Sequence, residues 1–185
     1  MRTFIAFFFA LTLAACGASD RAVERVDPEL DSLFVQLAQA PDAEAAAPVE
    51  NAIRARWSDS GSPTVDILLE RAAAAESEGD SELAIRFLDE ATDLAPDYAE
   101  TWNRRANLAY RIEDYTGAVS AIQETLKREP RHFAALAGLG LIYEELGQLR
   151  AALEAFRAAL AVHPFYDVAL EGVQRLEPRV DGRDA

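Results

Sequence analysis

The sequence predicts an all-α fold, an α-solenoid of three stacked helical hairpins with an N-terminal helical hairpin and a C-terminal capping helix. Three observations predict it. Pro96, Pro130 and Pro164 follow one another at intervals of 34 residues, and a fixed period of that length indicates stacked structural repeats. The same kinds of residue recur at the same places within each period. Apolar stripes at helical spacing lie on either side of the repeats.

Aligned on these prolines, the chain divides into three frames, residues 65–98, 99–132 and 133–166. The eighth position of each frame is small and the twentieth is alanine, so two helices joined by a turn can approach closely there. We therefore expect three facing pairs, namely Ala72 with Ala84, Ala106 with Ala118, and Gly140 with Ala152. The fourth and twenty-fourth positions are larger and apolar, and they are expected to fill the grooves between successive hairpins.

This order of large, small, alanine, apolar and proline positions resembles the tetratricopeptide repeat. The third frame matches the family pattern most fully, through Leu136, Leu139, Gly140, Tyr143, Gly147, Ala152, Phe156, Ala159 and Pro164. The second frame departs at Glu113, where glycine is usual, and at Arg105, where an apolar residue is usual. The first departs at Arg71 and Ala75. The resemblance implies three tetratricopeptide repeats and a protein that binds rather than catalyses.

The N-terminal residues 1–15 are interpreted as a signal peptide, because one arginine precedes an apolar run too short to span a bilayer. The segment Leu-Ala-Ala-Cys at 13–16 resembles the lipobox of bacterial lipoproteins. That resemblance implies cleavage before Cys16 and a lipid thioether on its thiol. The alternative is an ordinary secretory signal followed by an incidental cysteine. Gly17, rather than Asp, follows the cysteine, which by the sorting rule of enteric-type bacteria implies the outer membrane, facing the periplasm.

Two segments complete the N-terminal part of the molecule. Residues 16–27 are small and polar and are interpreted as a tether. Residues 28–62 predict a helical hairpin, whose first helix carries an apolar stripe and ends at Pro41. Two interpretations stay open: a degenerate repeat, or a cover over the open end of the stack. The cover is favoured because a terminal repeat would otherwise expose an apolar face.

The remaining helix signals lie between and after the repeats. Asp97 and Glu100, three residues apart, predict a capping box at the start of the fifth helix. Residues 167–178 predict a capping helix that Pro178 ends, and residues 179–185 predict a disordered tail.

The charge of the chain limits its partners. It has 18 basic and 32 acidic residues and a net charge of −14. Such a chain is not expected to bind nucleic acid by neutralising phosphates, or an anionic lipid surface. Membrane attachment is therefore expected through the N-terminal lipid. The first frame is the most acidic, either as a solvated face or as a flank that steers a basic partner segment.

Tetratricopeptide arrays bind peptides in a concave groove lined by the first helix of each repeat, and the resemblance implies the same surface here. The middle frame supplies polar side chains that can hydrogen-bond a peptide backbone or carboxylate, and they form the predicted centre of the site: Asn103, Asn107, Tyr110 and Arg111. Leu69, Leu141 and Glu144 flank them. The alternative is that these are exposed polar residues without a ligand. The family's clamp for a C-terminal carboxylate is not expected, because Ala73 and Leu141 occupy columns where it has asparagine.

No catalytic residues, cofactor or metal are expected. His132 and His163 are the only histidines, and they lack the spacing of a zinc site. Neither a phosphate-binding loop nor a nucleophile elbow is present in the sequence. The sequence therefore predicts a lipid-anchored periplasmic adaptor that binds a segment of a partner envelope protein and supports assembly of an envelope complex. A self-associating structural lipoprotein and an accessory subunit of a cell-envelope enzyme or secretion complex are the alternatives.

Overall fold

The computed structural model describes residues 27–182 of the chain. Within that range it contains nine α-helices, in the order α1 (Pro28–Ala38), α2 (Ala43–Trp57), α3 (Pro63–Ser77), α4 (Ser81–Leu94), α5 (Ala99–Arg111), α6 (Tyr115–Arg128), α7 (Phe133–Glu145), α8 (Leu149–Val162) and α9 (Asp167–Asp181). The predicted signal peptide, the lipidation site Cys16, nearly all of the tether and residues 183–185 lie outside the described residues.

The helix pairs α3–α4, α5–α6 and α7–α8 form three hairpins that stack on one another, and α9 packs on the last of them. The predicted all-α solenoid is thereby confirmed. Its small-residue columns are buried, with at most 3% of Ala72, Ala84, Ala106, Ala118 and Ala152 exposed. In the third repeat, a Cβ on Gly140 would lie 2.7 Å from the Phe156 ring, so glycine is required at that approach.

The turns inside the three hairpins share one backbone conformation. Gly79, Glu113 and Gly147 have φ angles of 78°, 60° and 70°. A side chain in this left-handed region costs roughly 1–2 kcal/mol, which glycine avoids. Glu113 therefore departs from the family pattern at a turn position whose backbone conformation favours glycine.

The N-terminal hairpin α1–α2 does not lie where the favoured interpretation placed it. It packs along the edge formed by the turns between repeats, where Phe34, Ile53 and Trp57 form one apolar cluster with Phe133 and Tyr166. Helix α3 packs mainly on α4, and its residue Ile67 is 49% exposed, so the open end of the stack is not covered by α1–α2. The hairpin follows the edge because its aromatic side chains find aromatic partners there.

Two local expectations were wrong. Helix α9 continues through Pro178 to Asp181, because a proline removes only one helical hydrogen bond and buried Val180 anchors the last turn in the core. The Asp97–Glu100 capping box does not form. Tyr98 is the N-cap of α5, and Glu100 instead pairs with other side chains of the array.

Among residues 27–182, every helix is too short or too polar to cross a lipid bilayer.

Candidate functional site

The seven predicted groove residues lie on the first helices of the three repeats, α3, α5 and α7, but they differ in access. Leu69 and Asn103 are buried, with 4% and 8% of their surface exposed. Asn107 and Arg111 are exposed, and Tyr110, Leu141 and Glu144 are half-buried. The surface that a ligand can reach is therefore narrower than the sequence pattern implied.

Asn103 belongs to a buried polar network rather than to the open surface. Its side-chain Nδ2 donates to Oε2 of Glu100 at 3.0 Å, and Nε of Arg104 donates to Oε1 of Glu100 at 3.1 Å. Nε2 of His132 lies 3.5 Å from the same Oε2. Burial alone would raise the pKa of Glu100, but His132, Arg104 and Asn103 hold it below its ordinary value. Asn103 thus positions a carboxylate and is not open to a peptide.

Both charged residues of the predicted groove already have partners on neighbouring helices. Arg111 forms an ion pair with Glu76 of α3. Glu144 accepts two hydrogen bonds from Arg175 of α9, at 2.9 and 2.7 Å. These bonds lower the pKa of Glu144, which therefore stays ionised at neutral pH. These pairs connect α3 with α5 and α7 with α9, so neither Arg111 nor Glu144 presents an isolated charge.

Tyr110 supplies a neutral hydroxyl and lies three residues after the exposed Asn107 on the same helix, α5. Its ring lies 5.9 Å from that of Tyr115, measured between centroids. Partial burial, followed by the nearby carboxylates of Glu145 and Glu144, raises the pKa of Tyr110. The phenol therefore keeps its proton at neutral pH and can donate a hydrogen bond.

One residue from each first helix lines the accessible strip of the groove. Ala73, Asn107 and Leu141 occupy the same repeat position on α3, α5 and α7. Ala73 and Asn107 are exposed and Leu141 is half-buried. The strip offers a small surface, an amide that both donates and accepts, and an apolar surface, in that order. With the Tyr110 hydroxyl, this arrangement can bind the backbone and one apolar side chain of an extended segment.

A second cluster, on the edge of the array, was missed in the sequence interpretation. The rings of Trp57 and His132 are stacked, with centroids 4.1 Å apart and planes 7° from parallel. The signal that could have revealed it is a row of ring-bearing residues, Tyr98, His132 and Tyr166, each two positions after a repeat proline. Nothing in the sequence links Trp57 to that row.

Both histidines are part of this edge cluster. Nδ1 of His163 accepts from the backbone N–H of Phe165 at 3.3 Å, so its Nε2 carries the proton that faces Oε2 of Glu50 at 2.9 Å. His132 and His163 are each 1% exposed. Among residues 27–182, no group of three or more His, Cys, Asp or Glu side chains is placed to hold a metal ion.

A shallow cavity of about 370 Å³ lies away from the groove, between the start of α8 and Val180 of α9. None of the predicted groove residues lines it.

Comparison with known proteins identifies the same repeats. Two family profiles, both described as tetratricopeptide repeat, match residues 65–98 and 103–167. A TPR repeat-containing protein of Rhizobium etli is 40% identical over 153 residues, which cover 83% of this chain and 75% of that protein.

Solved structures share the fold at low sequence identity. The Sgt2 TPR domain from Aspergillus fumigatus superposes with a TM-score of 0.62 and 18% identity, over 66% of this chain and 83% of that domain. The first TPR of Spaghetti (RPAP3), bound to the HSP90 peptide SRMEEVD, superposes with a TM-score of 0.60 and 17% identity, over 64% and 94% of the two chains.

Proposed function

The chain belongs to the tetratricopeptide repeat family, and on that premise we propose that it is a scaffold that binds a segment of a partner protein on its concave surface. The observation that carries the proposal is the strip of Ala73, Asn107 and Leu141, with the half-buried Tyr110 three residues after Asn107 on α5. The flanking charges of the groove are paired with one another. The bound peptide in the first TPR of Spaghetti supports the same use of the surface here.

A pair of matched substitutions tests the groove. Asn107→Lys places a long charged side chain in the strip, whereas Gln123→Lys makes the same change at an exposed position on α6. We expect Asn107→Lys to remove specific partners from a crosslinked pull-down of envelope extracts, and Gln123→Lys to retain them. Identical partner profiles for both variants and the wild type would contradict the groove assignment.

We propose that the mature chain is a bacterial lipoprotein anchored through Cys16. The support is the lipobox-like segment before the cysteine and the acidic chain, which an anionic membrane would repel without a lipid. Metabolic labelling with an alkyne fatty acid tests it. The wild type should carry the label and sediment with membranes, and Cys16→Ser should do neither. A wild type without label would refute the anchor.

The proposed destination is the outer membrane, facing the periplasm, where the partner is another envelope protein whose complex the scaffold helps to assemble. The support is Gly17 after the cysteine. Gly17→Asp is expected to move the chain from outer-membrane to inner-membrane fractions on a density gradient. If the wild type and Gly17→Asp fractionate alike, Gly17 does not direct sorting in this protein.

We propose that the chain itself catalyses no reaction. Its two histidines are each 1% exposed and pack against the rings of Trp57 and Phe133, so neither reaches the concave surface as a general acid or base.

Self-association is the second candidate, because the uncovered first repeat exposes Ile67 and Leu94 at 49% and 56%. Light scattering distinguishes the two. A dimer that Ile67→Glu dissociates would favour self-association, and a monomer in both forms would favour the scaffold. An accessory subunit of an envelope enzyme or secretion complex would behave as the scaffold does.

A further inference from the structure

The hairpin α1–α2 contacts three successive turns, namely the two between repeats and the one that joins the third repeat to α9. At the first, the Tyr98 hydroxyl donates to the carbonyl oxygen of Trp57 at 2.7 Å. At the second, the Trp57 ring stacks on His132. At the third, Nε2 of His163 faces Glu50 at 2.9 Å. A single helix, α2, therefore spans both junctions between repeats and the junction with α9.

Contacts from α1 strengthen the middle junction. Nη1 of Arg131 donates to Oδ1 of Asp31 at 2.7 Å, and its guanidinium lies 4.2 Å from the centroid of the Phe34 ring. Arg131 immediately precedes His132, so both helices of the hairpin engage the same turn. Because neighbouring repeats otherwise contact only one another, a helix that bridges three junctions restrains their relative angles.

The same interface contains groups that weaken it. Among the described residues, Nε1 of Trp57 and Nε2 of His132 are both buried without a hydrogen bond, although Nε2 of His132 faces the Glu100 carboxylate. The 3.5 Å from His132 Nε2 to Glu100 exceeds about 3.2 Å, the usual upper limit for an N–H···O bond. Each of these N–H groups can hydrogen-bond to water once the hairpin has undocked. Undocking therefore costs less free energy than the loss of the aromatic contacts alone would imply.

The interface also connects to the groove through Glu100. This carboxylate faces His132 at the edge and accepts from Asn103, which lies on the concave side of α5 four residues before Asn107. Movement of the His132 ring on loss of its Trp57 partner therefore acts on a buried network that positions the centre of α5.

We infer that α1–α2 is a releasable brace. When the hairpin is docked, it fixes the angles between repeats and the position of α5; when it is released, the concave surface becomes less rigid. Its role as a regulator of partner binding rests on the proposed scaffold function. A partner that binds one of the two states more tightly shifts the hairpin between them. Release of the hairpin involves this chain alone, so it can be tested without a partner.

Hydrogen–deuterium exchange of the full chain in mild detergent tests the release. In the wild type, the slowest amides of α1 and α2 should exchange at least tenfold faster than the slowest amides of α7 and α8, because the hairpin opens while the repeats stay folded. Equal rates for the two sets would mean that the hairpin opens only with global unfolding, and the brace would not be releasable.

Substitution at the interface tests the coupling. Trp57→Ala should raise exchange at least tenfold within residues 28–57 and severalfold in the middle of α5 and α7, leaving α6, which does not pack on the hairpin, unchanged. Trp57→Phe, which keeps a ring against His132, should lie close to the wild type. Ile67→Ala, at an exposed position outside the interface, should change neither region.

Two outcomes would overturn the coupling. Increased exchange confined to the hairpin would show that it does not restrain α5 and α7, and a uniform increase in every helix would show general destabilisation. If Trp57→Ala does not fold, Arg131→Ala removes the Asp31 and Phe34 contacts and must give the same selective pattern. Because no partner is used, failure here is distinct from failure of the Asn107→Lys test.

Discussion

The three repeats and the N-terminal hairpin are all pairs of short α-helices, but different contacts hold them in place. The repeats pack through columns of small buried residues that recur in every frame, such as Ala72, Ala106 and Gly140. The hairpin is held by contacts that each occur once, such as the Trp57–His132 stack and the Arg131–Asp31 ion pair. Recurring contacts build a linear stack, whereas single contacts allow an element to lie across several repeats at once.

This difference has an energetic consequence. In a linear array, each repeat is stabilised by its own fold and by its neighbours. A helix such as α2, which touches three junctions, adds a coupling between repeats that are not adjacent. The two regions should therefore respond differently when a large buried side chain is removed from each.

The largest expected effect is in the repeats. Phe156 is fully buried, and Phe156→Ala should lower the free energy of unfolding by about 3–5 kcal/mol. Trp57→Ala should instead produce a separate transition of the hairpin at low denaturant and leave the main midpoint nearly unchanged. Urea unfolding followed by far-ultraviolet circular dichroism measures both. A single transition with equal losses for the two variants would remove the distinction between the regions.

A smaller effect tests the recurring columns themselves. Gly140→Ala should cost about 1–3 kcal/mol, because the new Cβ would lie 2.7 Å from the Phe156 ring. The first two repeats combine alanine at this position with Leu88 or Ile122 at the later one. Gly140→Ala with Phe156→Leu should therefore lose less stability than the sum of the single changes. Strict additivity in this double-mutant cycle would show that the two positions are not packed against each other.

The two asparagines of the predicted site should also differ in how much they contribute to the free energy of unfolding. Asn103→Ala should cost about 1.5 kcal/mol, because it removes a hydrogen bond to the buried carboxylate of Glu100. Asn107→Ala should change the free energy of unfolding by less than about 0.5 kcal/mol, since Asn107 is exposed. Chemical denaturation measures both. Equal costs would mean that the two side chains have similar surroundings, contrary to the structure.

The asparagines also show what a sequence pattern can and cannot predict. The period predicts the solenoid because the same residue types pack in the same way in each of the three repeats. It places Asn103 on the first helix of the middle repeat, but its burial depends on Glu100, Arg104 and His132, which form a network without a repeat. Side chains in unique networks cannot be assigned from columns.

The position of α1–α2 has the same explanation. Its apolar stripe predicts a helical hairpin, but many apolar surfaces could cover that stripe. The choice of the edge over the open end depends on matched pairs, including Trp57 with His132 and Glu50 with His163. These pairs are far apart in the chain and follow no period.

A substitution in a turn tests the difference between the second repeat and the other two. Glu113 has a φ of 60°, whereas the equivalent positions are glycine. Glu113→Gly should stabilise the array by about 1 kcal/mol. The substitution relieves the strain of a left-handed side chain, but part of that gain is offset because glycine has more entropy in the unfolded chain. Gly147→Glu is the reverse change in the third repeat and should destabilise by a similar amount. If thermal unfolding shows no gain for Glu113→Gly, the turn tolerates the side chain without strain.

The smallest expected effect is the response of the hairpin to acid. Burial alone would raise the pKa of Glu50, but hydrogen bonds from His163 and Arg54 hold it below its ordinary value of 4.5. A carboxylate with a lowered pKa stabilises the docked hairpin fully above that ordinary value, and the stabilisation is lost as the pH falls through the lowered one. Glu50 remains 24% exposed, so the contribution should be about 1 kcal/mol or less.

Trp57 fluorescence can report this release if Trp102, the other tryptophan, is replaced by phenylalanine. Below pH 4.5, the emission should change at a pH at which the far-ultraviolet signal of the repeats is still intact. Glu50→Gln in the same background should show weaker docking at neutral pH and a smaller change on acidification. If acid affects the hairpin and the repeats at the same pH in both backgrounds, the single contacts of the hairpin are no easier to break than the recurring contacts of the array.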